Sequence, residues 1–366
     1  MSGLDEAREE INRIDEEMAR LFEKRMQASR KVAEFKEEHA LSVKDEKREN
    51  ELIKRNRKNI RDPELEPYYI DFIKEIFKVS CSYQSRLISG MKVCYCGIEG
   101  AFAYSAARKM FPEAELISMS DFADAYKAVE TGEYDTVVLP IENSYAGEVG
   151  SVMDLIFSGS LYINQVTDID ISHNLMSVEG ADLSTVKKVI SHPQALHQCE
   201  KYLRKTGLKA EEYSNTALAA RYVSEKNDPQ LAAIASKDAA ELYGLKVLER
   251  NINDNRNNTT RFAAFSRTRN VPKVKRGIRP PVNEENFILV FTVKNEAGAL
   301  AQTLNIIGAH GFNMRNLRSR PMKDLQWNYY FYIEAEGNIN NENGKALMRE
   351  LSAICARLKL VGSYVL

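Results

Sequence analysis

Cations fall where a helix should be apolar. Near the start of the chain, Leu4, Ile11, Ile14, Met18, Leu21, Ala28, Val32 and Phe35 form one stripe, which is continuous only if Arg8 and Arg25 are counted in it. Lys36, one turn after Val32, lies close to the same face. A guanidinium taken out of water without a partner is costly, so an anion should meet it. A second stripe of Ile70, Ile73, Phe77 and Leu87 runs through Ser80 and Gln84. Between the two, Asp45, Arg48, Glu49 and Leu52 share a face at helical spacing. Three helices therefore send polar groups into a shared interior. Cations outnumber anions there, which suits a ligand bearing more than one carboxylate. A coiled coil with one interhelical Arg–Glu pair would explain a single such arginine, but not the whole set.

A second group of polar motifs follows short β-rich runs. These are Gly97-x-Glu99-Gly100-Ala-Phe102, Pro140-Ile-Glu142-Asn143-Ser144, Ser191-His192-Pro193-Gln194, Asn215-Thr216, and the run RNINDNRNNTTRF from Arg250 to Phe262. Hydroxyls, amides and helix N-termini can bind an anion with little help from side-chain cations. Taken singly, each motif reads more simply. Gly97 and Gly100 suit turns, His192 before a proline suits a strand end, and the Asn-rich run suits a turn. AAFS follows that run and reads as a strand, so Thr260 and Arg261 are expected at a loop-to-strand junction. GIEGAF has neither the dinucleotide nor the Walker A spacing.

The elements that must carry these residues change character twice along 366 residues. Residues 1 to about 88 lack Gly after Gly3, hold Pro only at Pro63 and Pro67, and read as helices over about 3–38, 45–60 and 64–88. The first would be ~50 Å long and has little of its own chain to pack on, so an intertwined dimer with shared sites is expected. From 91 to about 267, strands such as KVCYCG, AELISM, DTVVLPI, VKKVIS and QLAAIAS alternate with helical stretches, which predicts an α/β sheet. Residues 268–284 are basic and Pro-containing, a linker. From 285 to 366 the order is strand, helix, strand, strand, helix, strand, the ferredoxin-like βαββαβ.

The net charge of -1 gives no basic excess for nucleic acid, and no apolar run is long enough to span a membrane. MSGLDEAREE lacks the apolar core of a signal peptide. The five cysteines form no Cys-x-x-Cys pair, and the five histidines have no metal-site spacing. A reduced cytoplasmic protein without metal or cofactor is expected.

The pattern Arg8…Arg25…Lys36…Asp45-x-x-Arg48-Glu49…Ser80-x-x-x-Gln84 resembles the all-helical chorismate mutase family over residues 1–88. The resemblance implies that Arg25, with Arg8 from a partner chain, grips the two carboxylates of chorismate. It further implies that Lys36 and Gln84 hydrogen-bond the ether oxygen, Glu49 and Asp45 the ring hydroxyl, and Ser80 and Arg48 the carboxylate end. PIENS, SHPQ and TTRF, in that order, resemble prephenate dehydratase over 91–267. That implies two lobes of periplasmic-binding-protein type closing on prephenate, with Thr260 donating to the leaving hydroxyl. Arg261, Glu142, Asn143, Ser144, Ser191, Gln194 and Thr216 would be its companions in the pocket. Arg261 could pair a carboxylate or brace the loop.

The last segment resembles the ACT family of amino-acid sensors, with Gly298, Ala299 and Leu300 between its first strand and first helix. The second element of such a sensor is usually Glu-Ser-Arg-Pro, but here it is Arg318-Ser319-Arg320-Pro321. The resemblance implies a phenylalanine site, which Arg318 could weaken; the plainer reading makes Gly298 and Pro321 turn residues of a dimerisation module. Together the three segments resemble the bifunctional family of phenylalanine biosynthesis, working as a homodimer or homotetramer. Two rivals remain open: a prephenate dehydratase with a helical dimerisation arm, and a non-catalytic amino-acid sensor.

Overall fold

In a computed structural model, which describes residues 3–39, 41–255, 257–269, 285–322 and 328–365, the chain divides into two compact units, Met1–Lys92 and Val93–Leu366. The first unit is three helices, α1 (Gly3–Glu38), α2 (Glu46–Asn56) and α3 (Glu66–Ser89). Asp45 caps α2 by accepting a hydrogen bond from the Arg48 amide at 2.9 Å. The second helix was expected to run on to about 60, but α2 stops at Asn56 and tightens into a 3-10 turn. Pro63 explains the later break, because the residue before a proline is pushed out of the helical region and Asp62 is extended. Inside one chain, α1 buries only Ser29 and Ala33. Leu4, Ile11, Ile14 and Leu21 are 58%, 56%, 50% and 60% exposed, so most of the apolar stripe has no cover.

The second unit begins as two α/β lobes. The first lobe contains β1 (Lys92–Cys96), α4 (Phe102–Met110), β2 (Glu115–Met119), α5 (Phe122–Thr131), β3 (Thr136–Asn143), β4 (Gly147–Glu148), α6 (Gly150–Ser158) and β5 (Tyr162–Asp170). The second holds β6 (Asn174–Ser177), β7 (Lys188–Ser191), α7 (Pro193–Gln198), α8 (Glu200–Thr206), β8 (Lys209–Glu212), α9 (Thr216–Lys226), β9 (Leu231–Ala235), α10 (Lys237–Leu242) and β10 (Lys246–Glu249). The chain then returns to the first lobe as β11 (Thr259–Ser266), which lies antiparallel between β3 and β5. The second lobe's sheet has the order β10-β6-β9-β7-β8. Both crossings between lobes, after β5 and before β11, therefore meet beside the same strands. This is the two-lobed arrangement expected from the sequence.

The last segment is β12 (Glu285–Thr292), α11 (Ala299–Ala309), β13 (Asn313–Pro321), β14 (Tyr329–Glu336), α12 (Glu342–Ile354) and β15 (Arg357–Val365), the ferredoxin-like order. Most of the expected linker, 270–284, lies outside the described residues. The sheet runs β13-β14-β12-β15 and continues through β5 into β11-β3-β1-β2. The join is a single parallel pairing of Gly362 with Ile163. A Cβ at Gly362 would collide with the Ile163 carbonyl oxygen, so only glycine allows that approach. The core is shared across the join: Ile288, Tyr332 and Tyr364 pack in one cluster with Leu139, Ile163 and Phe265.

Candidate active sites

Between the lobes lies a cavity of about 170 Å³ lined by Phe102, Asn143, Ile171, His173, His192, Gln194, Ala195, Gln198, Thr216, Asn258 and Thr260. Thr260 and Asn143 face each other as directly paired residues of β11 and β3. The Asn143 amide nitrogen donates to Thr260 Oγ1 at 2.8 Å and to Asn258 Oδ1 at 2.8 Å. The Asn143 amide oxygen accepts from the backbone of Tyr145 and Ala146 at 3.0 and 2.8 Å, which fixes which end of the amide meets the hydroxyl. Thr260 Oγ1 is thus an acceptor within the protein, and its own hydrogen is left to point elsewhere. Thr260 is 9% exposed, so a partner for that hydrogen must enter the cavity.

Four of the eight residues expected in this pocket line it: Thr260, Asn143, Gln194 and Thr216. The other four do not. Ser191 is buried and donates to the Ile234 carbonyl at 2.6 Å, a bond inside the second lobe's sheet. Ser144 braces the start of β11, accepting from Thr259 N at 2.9 Å and donating to Asn257 O at 3.0 Å. Arg261 follows Thr260 on a strand, where successive side chains face opposite ways, so it points away from the cavity. It bonds Asp168 at 2.9 Å and lies 3.6 Å from Glu334 on β14. The Asp168 carboxylate holds the guanidinium pKa above its ordinary value. Glu142 turns to Arg318 on β13.

These contacts agree with one expectation and extend another. Thr260 is the second residue of β11, at the loop-to-strand junction expected. The polar run before it is also more than a turn. Asn258 is 4% exposed and belongs to the cavity wall, and Asn253 ties the lobe crossing by accepting from His173 N at 2.6 Å and donating to Ile171 O at 2.8 Å. His173, Ile171, Ala195, Gln198 and Asn258 were not singled out from the sequence, and His192 was set aside as a strand end. The signal available was weak: single polar residues beside a chain crossing.

In the helical unit, the Arg25 guanidinium donates to Ser80 Oγ and lies 5.9 Å from the Phe77 ring centre. Partial burial lowers its pKa. Gln84 is 6% exposed and its side-chain oxygen has no partner among the described residues. Lys36 donates to Val43 O at 2.5 Å, and Cys81 lies 3.7 Å from the Glu49 carboxylate. Arg25, Lys36 and Glu49 all act electrostatically on Cys81, so α1, α2 and α3 bring them to one place. Asp45 and Arg48 lie exposed at the start of α2, and Arg8 lies exposed among the uncovered apolar residues of α1. One chain does not bring Arg8 to the others' site.

In the last segment, Gly298 has φ +86 and caps α11, so its turn role is real, and Ala299 and Leu300 open the helix. Pro321 ends strand β13 rather than sitting in a turn. Arg318 and Arg320 reach across to the first lobe. Arg318 pairs with Glu142 and lies 3.7 Å from Glu148; Arg320 pairs with Glu148 and bonds Asp154 at 3.2 Å. Ser319 between them is exposed.

Comparison with known proteins agrees with this division. Family models match over residues 7–85 (chorismate mutase type II), 93–270 (prephenate dehydratase) and 287–353 (ACT domain). A bifunctional chorismate mutase/prephenate dehydratase of Aquifex aeolicus is 32% identical over 100% of this chain and 98% of its own length. A prephenate dehydratase from Arthrobacter aurescens solved with L-Phe superposes with a TM-score of 0.66 at 27% identity, covering 75% of this chain and 90% of that one. A structure described as GqqA, a novel type of quorum quenching acylase, also gives 0.66 at 29% identity, over 75% of this chain and 97% of that one. With its three segments matched in one order and a relative aligned from end to end, the chain belongs to the bifunctional chorismate mutase/prephenate dehydratase family.

Proposed function

We infer that the chain catalyses two consecutive steps towards phenylalanine, with phenylalanine as effector. The helical unit rearranges chorismate to prephenate. The two-lobed part converts prephenate to phenylpyruvate.

The first step is pericyclic and needs no nucleophile. Its barrier falls through orientation and through charge placed where charge develops. Arg25 and Ser80 hold one end of the substrate, Lys36 and Gln84 meet the ether oxygen as the C–O bond breaks, and Glu49 holds the ring hydroxyl. Arg8 comes from a second chain, whose α1 covers the exposed stripe of the first. That is the support for a homodimer, or for a tetramer built of such dimers. Five unpaired cysteines suit a reducing, cytoplasmic setting.

In the second step, the electrons of the ring-to-carboxylate bond move into the ring as carbon dioxide leaves. The hydroxyl across the ring departs and takes up a proton to become water. The observation that carries this reading is the Asn143–Thr260 bond, which leaves the threonine hydrogen free for that departing oxygen. A threonine hydroxyl is a poor acid in water. Its effect here is a hydrogen bond held in position in a closed, dry site. Phenylalanine binds the last segment, and β13 carries Arg318 and Arg320 against β3 and β4 beside that site.

The test is one incubation of the purified protein with chorismate, following prephenate and phenylpyruvate separately, with and without phenylalanine. Both products, with phenylpyruvate suppressed by phenylalanine, are expected. Prephenate accumulating without phenylpyruvate would remove the role given to Thr260. Unconsumed chorismate would leave the helices as a scaffold.

A further inference from the structure

His173 stands where the chain enters the second lobe. It is 2% exposed and lines the same cavity as Thr260. Its backbone is held on one side and its imidazole on two. The backbone amide is fixed by Asn253 at 2.6 Å, Nε2 lies 2.8 Å from Gln198 Oε1, and the Phe102 ring meets the imidazole edge-on at 5.8 Å between centres. With the Gln198 amide oxygen turned to the ring, Nε2 carries the ring hydrogen and Nδ1 presents a lone pair. That lone pair is buried and has no partner among the described residues. Burial also lowers the imidazole pKa, which keeps the ring neutral. Buried polar atoms in native structures are seldom left unpaired, and those that are call for an explanation.

The cavity therefore holds two complementary groups. Thr260 Oγ1 accepts from Asn143 and has a hydrogen to give. His173 Nδ1 has a lone pair to offer. A hydroxyl placed between them accepts from the first and donates to the second. We propose that His173 is a catalytic residue of the dehydration, accepting a hydrogen bond at Nδ1 from the hydroxyl that leaves while Thr260 donates to the same oxygen. The proposal rests on the reading of this cavity as the dehydratase site. The histidine turns a lone pair of the leaving oxygen towards Thr260 and makes that oxygen more basic, so that it takes the threonine hydrogen as the C–O bond breaks. The oxygen keeps its own hydrogen, takes the hydrogen of Thr260 along that bond and departs as water, and solvent returns a proton to the threonine oxygen. A neutral ring also avoids placing a cation where it would hold back the carboxylate that must leave.

Two substitutions in the full-length protein separate this role from that of a structural pin. His173→Asn places an amide near the position of Nδ1 and abandons Gln198. His173→Gln places an amide near Nε2, keeps the Gln198 contact and leaves Nδ1 empty. The proposal expects His173→Gln to lose ~100-fold or more in kcat for prephenate with KM within a few fold, and His173→Asn to recover to within about tenfold of the parent. The reverse order, or unchanged kcat in both, would overturn it. Thr260→Ala is assayed beside them. If that variant keeps prephenate turnover, the cavity itself was misread; if it is inactive while both histidine variants are active, only the histidine proposal fails. Should a variant fold poorly, nitrogen-15 NMR of histidine-labelled parent protein still decides. A His173 tautomer with hydrogen on Nε2 supports the proposal, and hydrogen on Nδ1 overturns it.

Discussion

The helical unit and the two-lobed unit hold their reactive groups in opposite ways. In Val93–Leu366 the cavity, its Thr260–Asn143 pair and the strands that carry them are complete within one chain, on a core that is largely dry. In Met1–Lys92 the inner half of the site is formed by Arg25 and Ser80, while Arg8 sits on an uncovered apolar face. One chain thus assembles the cavity by itself but leaves Arg8 apart from Arg25 and Ser80. An apolar stripe of this length left open to water favours association.

The largest effect should come from Thr260→Ala, which leaves the fold of β11 intact and removes the free hydroxyl. Prephenate turnover should fall ~10²–10⁴-fold, with chorismate turnover unchanged, when both are followed in the same preparation. Equal loss of both would mean that the two units are not independent. Next, Arg25→Leu should lower chorismate turnover ~10²–10³-fold and leave prephenate turnover alone, while thermal stability holds or rises because a half-buried cation is replaced by an apolar group. A stable variant with full mutase activity would reduce the helices to a dimerisation arm.

A first site shared between two chains, as proposed, predicts complementation. Arg8→Ala and Arg25→Ala chains, each inactive on chorismate, should regain about a quarter of parental activity when co-expressed. Random pairing makes half the dimers mixed, and each mixed dimer has one intact site. No recovery would place both arginines in one chain's site.

Smaller effects test the second unit's completeness. Arg318→Glu restores the residue usual in related dehydratases but sets a carboxylate against Glu142 and Glu148. These side chains are only 18–31% exposed, so a loss of about 2 kcal/mol, roughly 4–8 °C in Tm by calorimetry, is expected. No change in Tm would mean that the ion pairs of Arg318 with Glu142 and Glu148 contribute nothing to stability. The smallest effect belongs to His310, which meets oxygen acceptors on both ring nitrogens, Asn343 and Glu350, at 2.9 Å each. Only the protonated ring can serve both, and its pKa is raised, first by Asn343 and then by Glu350. That stabilisation is fully present below the unfolded pKa near 6.5 and is lost as pH rises through the higher folded value. His310→Ala should therefore lower Tm by ~1–2 °C at acid pH and by nothing at pH ~9. A constant difference across pH would assign the effect to packing.

What the sequence disclosed and what it hid follow from the range of the interactions. The misplaced Arg8 and Arg25 were legible because helical period is local, and four turns of sequence suffice to define a face. The βαββαβ order was legible for the same reason, strand by strand and helix by helix. The motif around Thr260 could be read, but its neighbour was misjudged: placing Arg261 in the pocket ignored the alternation that a strand imposes. Glu142 meeting Arg318 joins residues far apart in the chain, and no periodicity encodes such a pair. His173 was illegible because its meaning depends on burial and on which of its nitrogens lacks a partner.

Gly362 has a consequence for the chain as an evolving and expressed object. Where β15 meets β5, each strand shields the other's edge, and the missing side chain makes that approach possible. A polypeptide truncated before β12 would keep its cavity and lose its cover, displaying β5 as an open edge to every other copy. The sensor segment thereby doubles as a safeguard of solubility, and its removal would be felt in a cell as aggregation before it was felt as lost regulation.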